Sequence, residues 1–169
     1  GGAIYNENGT ISIDGSVFLE NHANASSSFI EALGGAIYNK NGTLNIKNST
    51  FSTNYSSNGK GGAIYTEGGT VNILADGGNT IFQNNTANGI DNAIYLDSNM
   101  GTATLNLNSK LGNTITFNDG IDSSSTDSVI NINKAHDDSD PLSPPDGAPV
   151  NGEILLNQAI SNSTVNTYN

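Results

Sequence analysis

One pentapeptide returns along this chain at nearly even intervals, and no other feature restricts the fold so tightly. Gly1-Gly2-Ala3-Ile4-Tyr5 recurs as Gly34-Gly35-Ala36-Ile37-Tyr38 and Gly61-Gly62-Ala63-Ile64-Tyr65, with an altered copy in Asp91-Asn92-Ala93-Ile94-Tyr95. The spacings are 33, 27 and 30 residues, the length of one solenoid coil with its length differences placed in loops.

Each copy is followed by an apolar pair separated by one polar residue: Ile11/Ile13, Leu44/Ile46, Val71/Ile73 and Leu105/Leu107. That alternation is the period of a strand, not of a helix. The offset from the motif Ile to the pair is seven residues in the first three coils and eleven in the fourth. A third element is Phe-x-x-Asn, from Phe18 to Asn21, Phe51 to Asn54 and Phe82 to Asn85; Phe117 follows in the fourth coil, where Gly120 stands at the expected Asn position. Each coil therefore reads as strand, turn, strand, turn, strand, loop, with Gly, Asn and Ser supplying the turns.

One coil of three short strands cannot bury its apolar face alone. Stacking lets each strand pair in parallel with its equivalents above and below, about 4.8 Å apart. The expected fold is all-β: a right-handed single-stranded parallel β-helix, three short strands per coil, of about five to six coils and roughly 25–30 Å in length. Its interior should hold an Ile ladder (Ile4, Ile37, Ile64, Ile94), an aliphatic ladder, and a Phe ladder (Phe18, Phe51, Phe82, Phe117). Asn21, Asn54 and Asn85 should stack as an amide ladder at a corner. Tyr5, Tyr38, Tyr65 and Tyr95, next to the Ile ladder, should point outward. Two readings of them stand: an aromatic stripe for binding, or strand formers covering one face, the second being favoured.

The composition agrees with many short strands and turns. Hydrophobic residues are 34% and charged residues 12% of the chain, there is no Trp, and the polarity comes from Asn, Ser, Thr and Gly. The net charge is −11 and all five cations are Lys, which disfavours nucleic acid and anionic membrane surfaces as partners. Without cysteine there are no disulfides, Cys-ligated zinc or thiol chemistry. The chain starts in mid-motif without Met, so the expectation is a single β-helix segment over 1–169, internal to a longer chain, whose targeting and anchoring parts lie elsewhere. Residues 1–120 form the regular coils and 121–169 irregular ones. Val129, Ile130 and Ile132 would belong to a fifth coil, and Glu153-Ile154-Leu155-Leu156 with Val165 to a sixth. All four prolines fall in 135–150, which cannot feed a ladder and should project as a loop; 22–33 is the other long excursion.

Gly-Gly-Ala-Ile together with Phe-x-x-Asn resembles the paired repeat of the chlamydial polymorphic outer membrane proteins and related autotransporter passengers. The resemblance covers 1–120 well and the rest loosely, and coil four lacks both motifs in strict form. It implies a right-handed parallel β-helix exported through the outer membrane, with adhesive roles. In that family both motifs are linked to adhesion, which points to Gly34, Gly35, Ala36 and Ile37 with Phe51 and Asn54, and to Gly61, Gly62, Ala63 and Ile64 with Phe82 and Asn85.

Polysaccharide lyases and hydrolases also use parallel β-helices, so fold alone does not exclude catalysis. Lyases of this type generally need a basic Arg, and the chain has none. Asp14, Asp76, Asp91, Asp97, Asp119 and Asp122 fall in expected turns without repeated register, unlike an acid/base pair held at a fixed separation. His22 and His136 lie in expected loops and make poor candidates for a base or a ligand. His136-Asp137-Asp138-Ser139-Asp140 could bind calcium through its carboxylates, but it lacks the Gly and terminal Glu of an EF-hand loop; a solvated acidic loop is favoured. The Asn-x-Ser/Thr sequons at Asn8, Asn24, Asn41, Asn48, Asn54, Asn84 and Asn162 follow from composition. The file Thr10, Thr43, Thr70 and Thr104 gives one Thr per coil, too few for an ice-binding array.

The resulting expectation is an adhesive or structural passenger segment of a bacterial surface or secreted protein, not an enzyme, without catalytic, cofactor or metal residues. Its partner would be a receptor or glycan on a host or neighbouring cell, and its place the bacterial surface, reached through a translocator outside these residues. The alternative is a carbohydrate-active β-helical enzyme, which a groove lined by close carboxylates would favour.

Overall fold

The computed structural model describes residues 1–27, 29–133 and 151–167. Every regular element among them is a strand, and equivalent strands of successive coils pair in parallel. The chain is a parallel β-helix. Right-handed coiling is the sense that nearly all such parallel crossovers take.

The first strands, Ile4–Glu7, Ile37–Lys40, Ile64–Glu67, Ile94–Asp97 and Ile121–Ser123, form one five-stranded sheet in that order. Their register sets Ile4, Ile37, Ile64, Ile94 and Ile121 in one column. The second strands, Thr10–Asp14, Thr43–Lys47 and Gly69–Ala75, place Ile11, Leu44 and Val71 in one column and Ile13, Ile46 and Ile73 in another. The third strands, Val17–Leu19, Thr50–Ser52 and Thr80–Gln83, align Phe18, Phe51 and Phe82. In coil four the second and third positions fuse into one strand, Ala103–Phe117, which pairs below with both Gly69–Ala75 and Thr80–Gln83.

The apolar columns meet along the axis. Ile37, Ile64, Ile94, Leu44, Ile46, Ile73, Leu105, Leu107, Phe51 and Phe82 are fully buried. The four Phe rings lie nearly parallel, with centroids 4.7, 4.8 and 4.5 Å apart and interplanar angles of 2°, 4° and 6°. The coil spacing dictates that geometry, because identical side chains one strand apart repeat at the strand separation.

The structure amends two expectations. First, the three lower coils hold a fourth strand: His22–Ala23, Tyr55–Ser56 and Thr86–Ala87, with Ile90–Asp91 folded back antiparallel on the last. Asn88 and Gly89, at φ 51° and 75°, make the tight hairpin turn that such a reversal requires. The stretches expected as loops thus begin as sheet; an alternation two residues long cannot be read from sequence. Second, Val129–Ile132 and Asn151–Leu156 occupy the second and third positions of the same fifth coil, pairing with the two halves of Ala103–Phe117. The sixth coil holds Ile160, bridged to Ile121, and Thr164–Thr167 on Val129–Ile132. The expected projecting loop 135–150 and the acidic cluster 136–140 lie outside the described residues.

Candidate functional site

The motif residues come first, because the sequence points to them. Gly34, Gly35, Ala36, Ile37, Phe51, Asn54, Gly61, Gly62, Ala63, Ile64, Phe82 and Asn85 are all buried. Gly61 has φ +67°, a left-handed conformation that suits glycine. A Cβ on Gly62 would lie 2.4 Å from the carbonyl oxygen of Asn92 and 2.5 Å from the amide nitrogen of Thr86. The glycines let two coils and a corner approach closely.

Asn54 and Asn85 work as a directed column. The backbone N–H and side-chain Nδ2 of Asn21 both donate to Oδ1 of Asn54, at 3.0 and 2.8 Å, and Asn54 repeats this on Oδ1 of Asn85, at 3.1 and 2.8 Å. Nδ2 of Asn54 and of Asn85 also donate to the Phe carbonyl of the coil below. The column ends on Asp119, whose Oδ2 accepts both Asn85 donors. Gly120 was the aligned position by spacing; the neighbouring Asp does the work. Asp119 is 3% exposed, and burial pushes its carboxyl above the ordinary carboxylate range.

Two further amide columns carry no tetrapeptide signature. Asn6 donates to Asn39 at 2.7 Å and Asn39 to Thr66 at 3.0 Å. On the outer side of the second strands, Asn72, Asn106, Asn131 and Asn166 each donate to the Asn of the coil below, at 2.7–3.0 Å. These pairs leave few side-chain amides unsatisfied where coils touch.

The tyrosines stand in one register, Tyr5, Tyr38, Tyr65 and Tyr95, on the outer face of the first sheet. They do not form a uniformly open stripe. Tyr5 is 53% exposed, whereas Tyr65 is 4% exposed. Tyr38 donates its hydroxyl to Glu67, and Tyr65 donates to Asp97 Oδ2 at 2.6 Å. Burial, then these carboxylates, push both phenols well above the ordinary tyrosine value, so both remain protonated.

Most of the described acidic side chains have structural partners. Glu7 pairs with Lys40 at 3.1 Å, Glu31 with Lys60 at 3.4 Å, and Asp76 with Lys47 and Lys110 at 3.5 and 2.9 Å. Asp14, Asp91, Asp97 and Asp122 sit in strands, not turns. Asp97 takes the Tyr65 hydroxyl, and Asp122 accepts from the Ser123 amide at 2.8 Å and from the Ser161 hydroxyl. His22 meets the Tyr55 ring edge-on at 5.8 Å. Among the described residues, no group of three or more His, Cys, Asp or Glu is placed to hold a metal ion.

Two recesses flank the tyrosine row where it meets the fourth strands. One, of about 380 Å³, includes Gly2, His22, Glu31, Leu33 and Tyr38 in its lining. The other, of about 290 Å³, lies between Lys60, Ile90, Asn92, Tyr95 and Asp122. Lys60 links the two, paired to Glu31 and standing 5.2 Å from the centre of the Tyr95 ring. Asn92 is 8% exposed, and its Oδ1 has no hydrogen-bond partner. Sequence reasoning passed over Asn92, Lys60 and Ile90. The signal was there, because Asn92 stands where the repeat has its second glycine.

Residues 48–67 match the model of the Chlamydia polymorphic membrane protein repeat. The matched stretch contains Phe51 to Asn54 and Gly61-Gly62-Ala63-Ile64, so it holds both tetrapeptides and the fourth strand between them. No curated protein and no solved structure matches the chain.

Proposed function

We propose that this chain is a surface-displayed passenger segment of the autotransporter type, which holds its corner excursions away from the bacterial cell and contacts a receptor or glycan on another cell. One observation carries the reading: the stretch that matches the chlamydial repeat continues in unbroken register into the coils below and above it. A family whose repeat is a coil of an exported β-helix accounts for the whole stack. The two tetrapeptides serve adhesion from the interior, by fixing the geometry of what lies outside them. On a rigid scaffold the binding groups belong to the excursions and the outer face. Polysaccharide cleavage has no observation in its favour: Glu67 and Asp97 are held by Tyr hydroxyls, Glu7 and Asp76 by Lys, and Asp122 by Ser123 and Ser161.

The test is adhesion of beads coated with the chain to cultured epithelial cells. Replacing 24–31 and 135–150 by short Gly-Asn turns, with Tyr5 and Tyr38 changed to Ser, should lower adhesion severalfold while the far-UV spectrum is kept. Undiminished adhesion of that variant would remove the reading.

A further inference from the structure

The excursion that leads from coil one to coil two carries a feature that packing does not explain. Phe29 is 96% exposed, more than any other large apolar side chain among the described residues, and Ile30 beside it is 53% exposed. They do not hang on a loose thread. Ile30 N–H donates to the Ser27 carbonyl at 3.2 Å, which closes the turn. Around it, Ala25 N–H donates to the Ser57 hydroxyl at 2.8 Å and the Ile30 carbonyl accepts from Asn58 Nδ2 at 3.4 Å. Glu31 pairs with Lys60, and Leu33 bridges to Lys60. Ile90, 70% exposed, stands on the same corner on the hairpin of coil three, where it lines a recess together with Gly59 and Lys60. Exposed apolar side chains gathered on one projection mark a contact surface.

We propose that the Phe29-Ile30 tip dips into the headgroup layer of an uncharged lipid surface, the zwitterionic outer leaflet of another cell, with Ile90 settling beside it. The surface-display reading supplies that cell; the affinity of the tip for lipid does not rest on it. Size favours lipid over a protein partner. A specific protein interface takes roughly 20–30 residues a side, and three apolar side chains fall far short of that. A bilayer needs no matching shape and gains from each apolar group that enters it. Charge then chooses the kind of lipid. Glu31 and Lys60 cancel each other at the base of the tip, so no free cation is placed there to draw an anionic headgroup. The net charge of −11 opposes an anionic leaflet but is indifferent to a neutral one. One tip binds weakly, and many copies displayed on one cell act together.

The chain has no Trp, so Phe29→Trp in the whole chain makes a single reporter at the tip. With dioleoylphosphatidylcholine vesicles its emission should move to shorter wavelength and be quenched by lipid brominated in its acyl chains. Leu111→Trp, at a position 68% exposed on the fused strand of coil four, should show neither effect. In vesicle flotation, Phe29→Ser combined with Ile30→Ser should weaken binding by about tenfold or more with the melting temperature unchanged. Mixing phosphatidylserine into the vesicles should weaken the parent as well. The proposal is overturned if the tip reporter does not respond, or if Leu111→Trp responds equally. It is also overturned if the Ser variant floats as the parent does, or if phosphatidylserine strengthens binding. Bead adhesion to epithelial cells, measured with the same variants, keeps the two readings apart. Adhesion that is lost in the Ser variant while no chain binds vesicles assigns the tip to a protein partner and removes only the lipid reading; vesicle binding without adhesion leaves the tip its lipid and removes the adhesive role.

Discussion

A single carboxylate oxygen of Asp119 accepts both the backbone and the side-chain N–H of Asn85, at 2.9 and 2.6 Å. Asp119→Ala leaves both donors buried without an acceptor, and a cost of about 2–3 kcal/mol is expected. Asp119→Asn keeps an acceptor and removes the buried charge. Because burial raises the Asp119 pKa, its ionised form destabilises the fold above the folded pKa, and that penalty is relieved as pH falls through it. Asp119→Asn should therefore be more stable than the parent at pH 7, and the gain should narrow as pH falls toward about 4. Guanidinium midpoints at both pH values check it.

The inner and outer sides of the first sheet separate three variants. Ile64 is fully buried, so Ile64→Ala should cost about 2–5 kcal/mol. Tyr65→Phe takes away the donor to Asp97, which is itself 6% exposed, and should cost about 1–3 kcal/mol. Tyr5→Phe, at the open end of the same row, should change stability by less than about 0.5 kcal/mol. Thermal denaturation ranks the three, and a large loss in Tyr5→Phe would contradict the arrangement.

Phe82 lies between two parallel rings, Phe51 at 4.8 Å and Phe117 at 4.5 Å. Phe82→Ala should open a cavity that rigid neighbouring coils cannot close, at a cost of about 3–5 kcal/mol. Phe18→Ala, at the partly buried end of the column, should cost less. Urea unfolding of the two variants measures the difference.

Asp76 is shared by Lys110 and Lys47, and the Lys110 hydrogen bond holds its carboxyl below the ordinary range. A lowered acid stabilises the fold above its unfolded pKa, about 3.9, and that contribution is lost as pH falls through the folded value. Asp76→Asn should cost about 0.5–1 kcal/mol at pH 7 and low salt. The cost should shrink in 1 M salt and near pH 2–3, which urea titrations under the three conditions would show.

Much of this was legible in the sequence because a stacked fold repeats its errors as little as its residues. The Ile, Phe and Asn21-Asn54-Asn85 columns follow from spacing alone, since register makes like residues neighbours. What spacing missed has local causes. Asp119 stands one residue before the aligned position, and a corner tolerates that slip where a strand would not. Val129–Ile132 and Asn151–Leu156 share a coil although eighteen residues separate them, which broke the period. The fourth strands are too short to alternate visibly, and Asn92 read as decay of a motif when its side chain borders a recess. The outer Asn column from Asn45 to Asn166 hid in plain composition, because a chain rich in Asn gives no contrast.

The amide column has a sense of direction, and that bears on how such a molecule can lengthen. Each Asn gives its backbone N–H and a side-chain N–H to the Oδ1 of the coil that follows, so a duplicated copy of one of these coils would insert as one more rung, its Oδ1 receiving from below and its N–H groups giving above. Ionised Asp119 has no side-chain proton to pass on. The amide column can therefore lengthen by copying beneath Asp119 but not past it, and the coils that follow stack on coil four through their backbone ladders and other side chains.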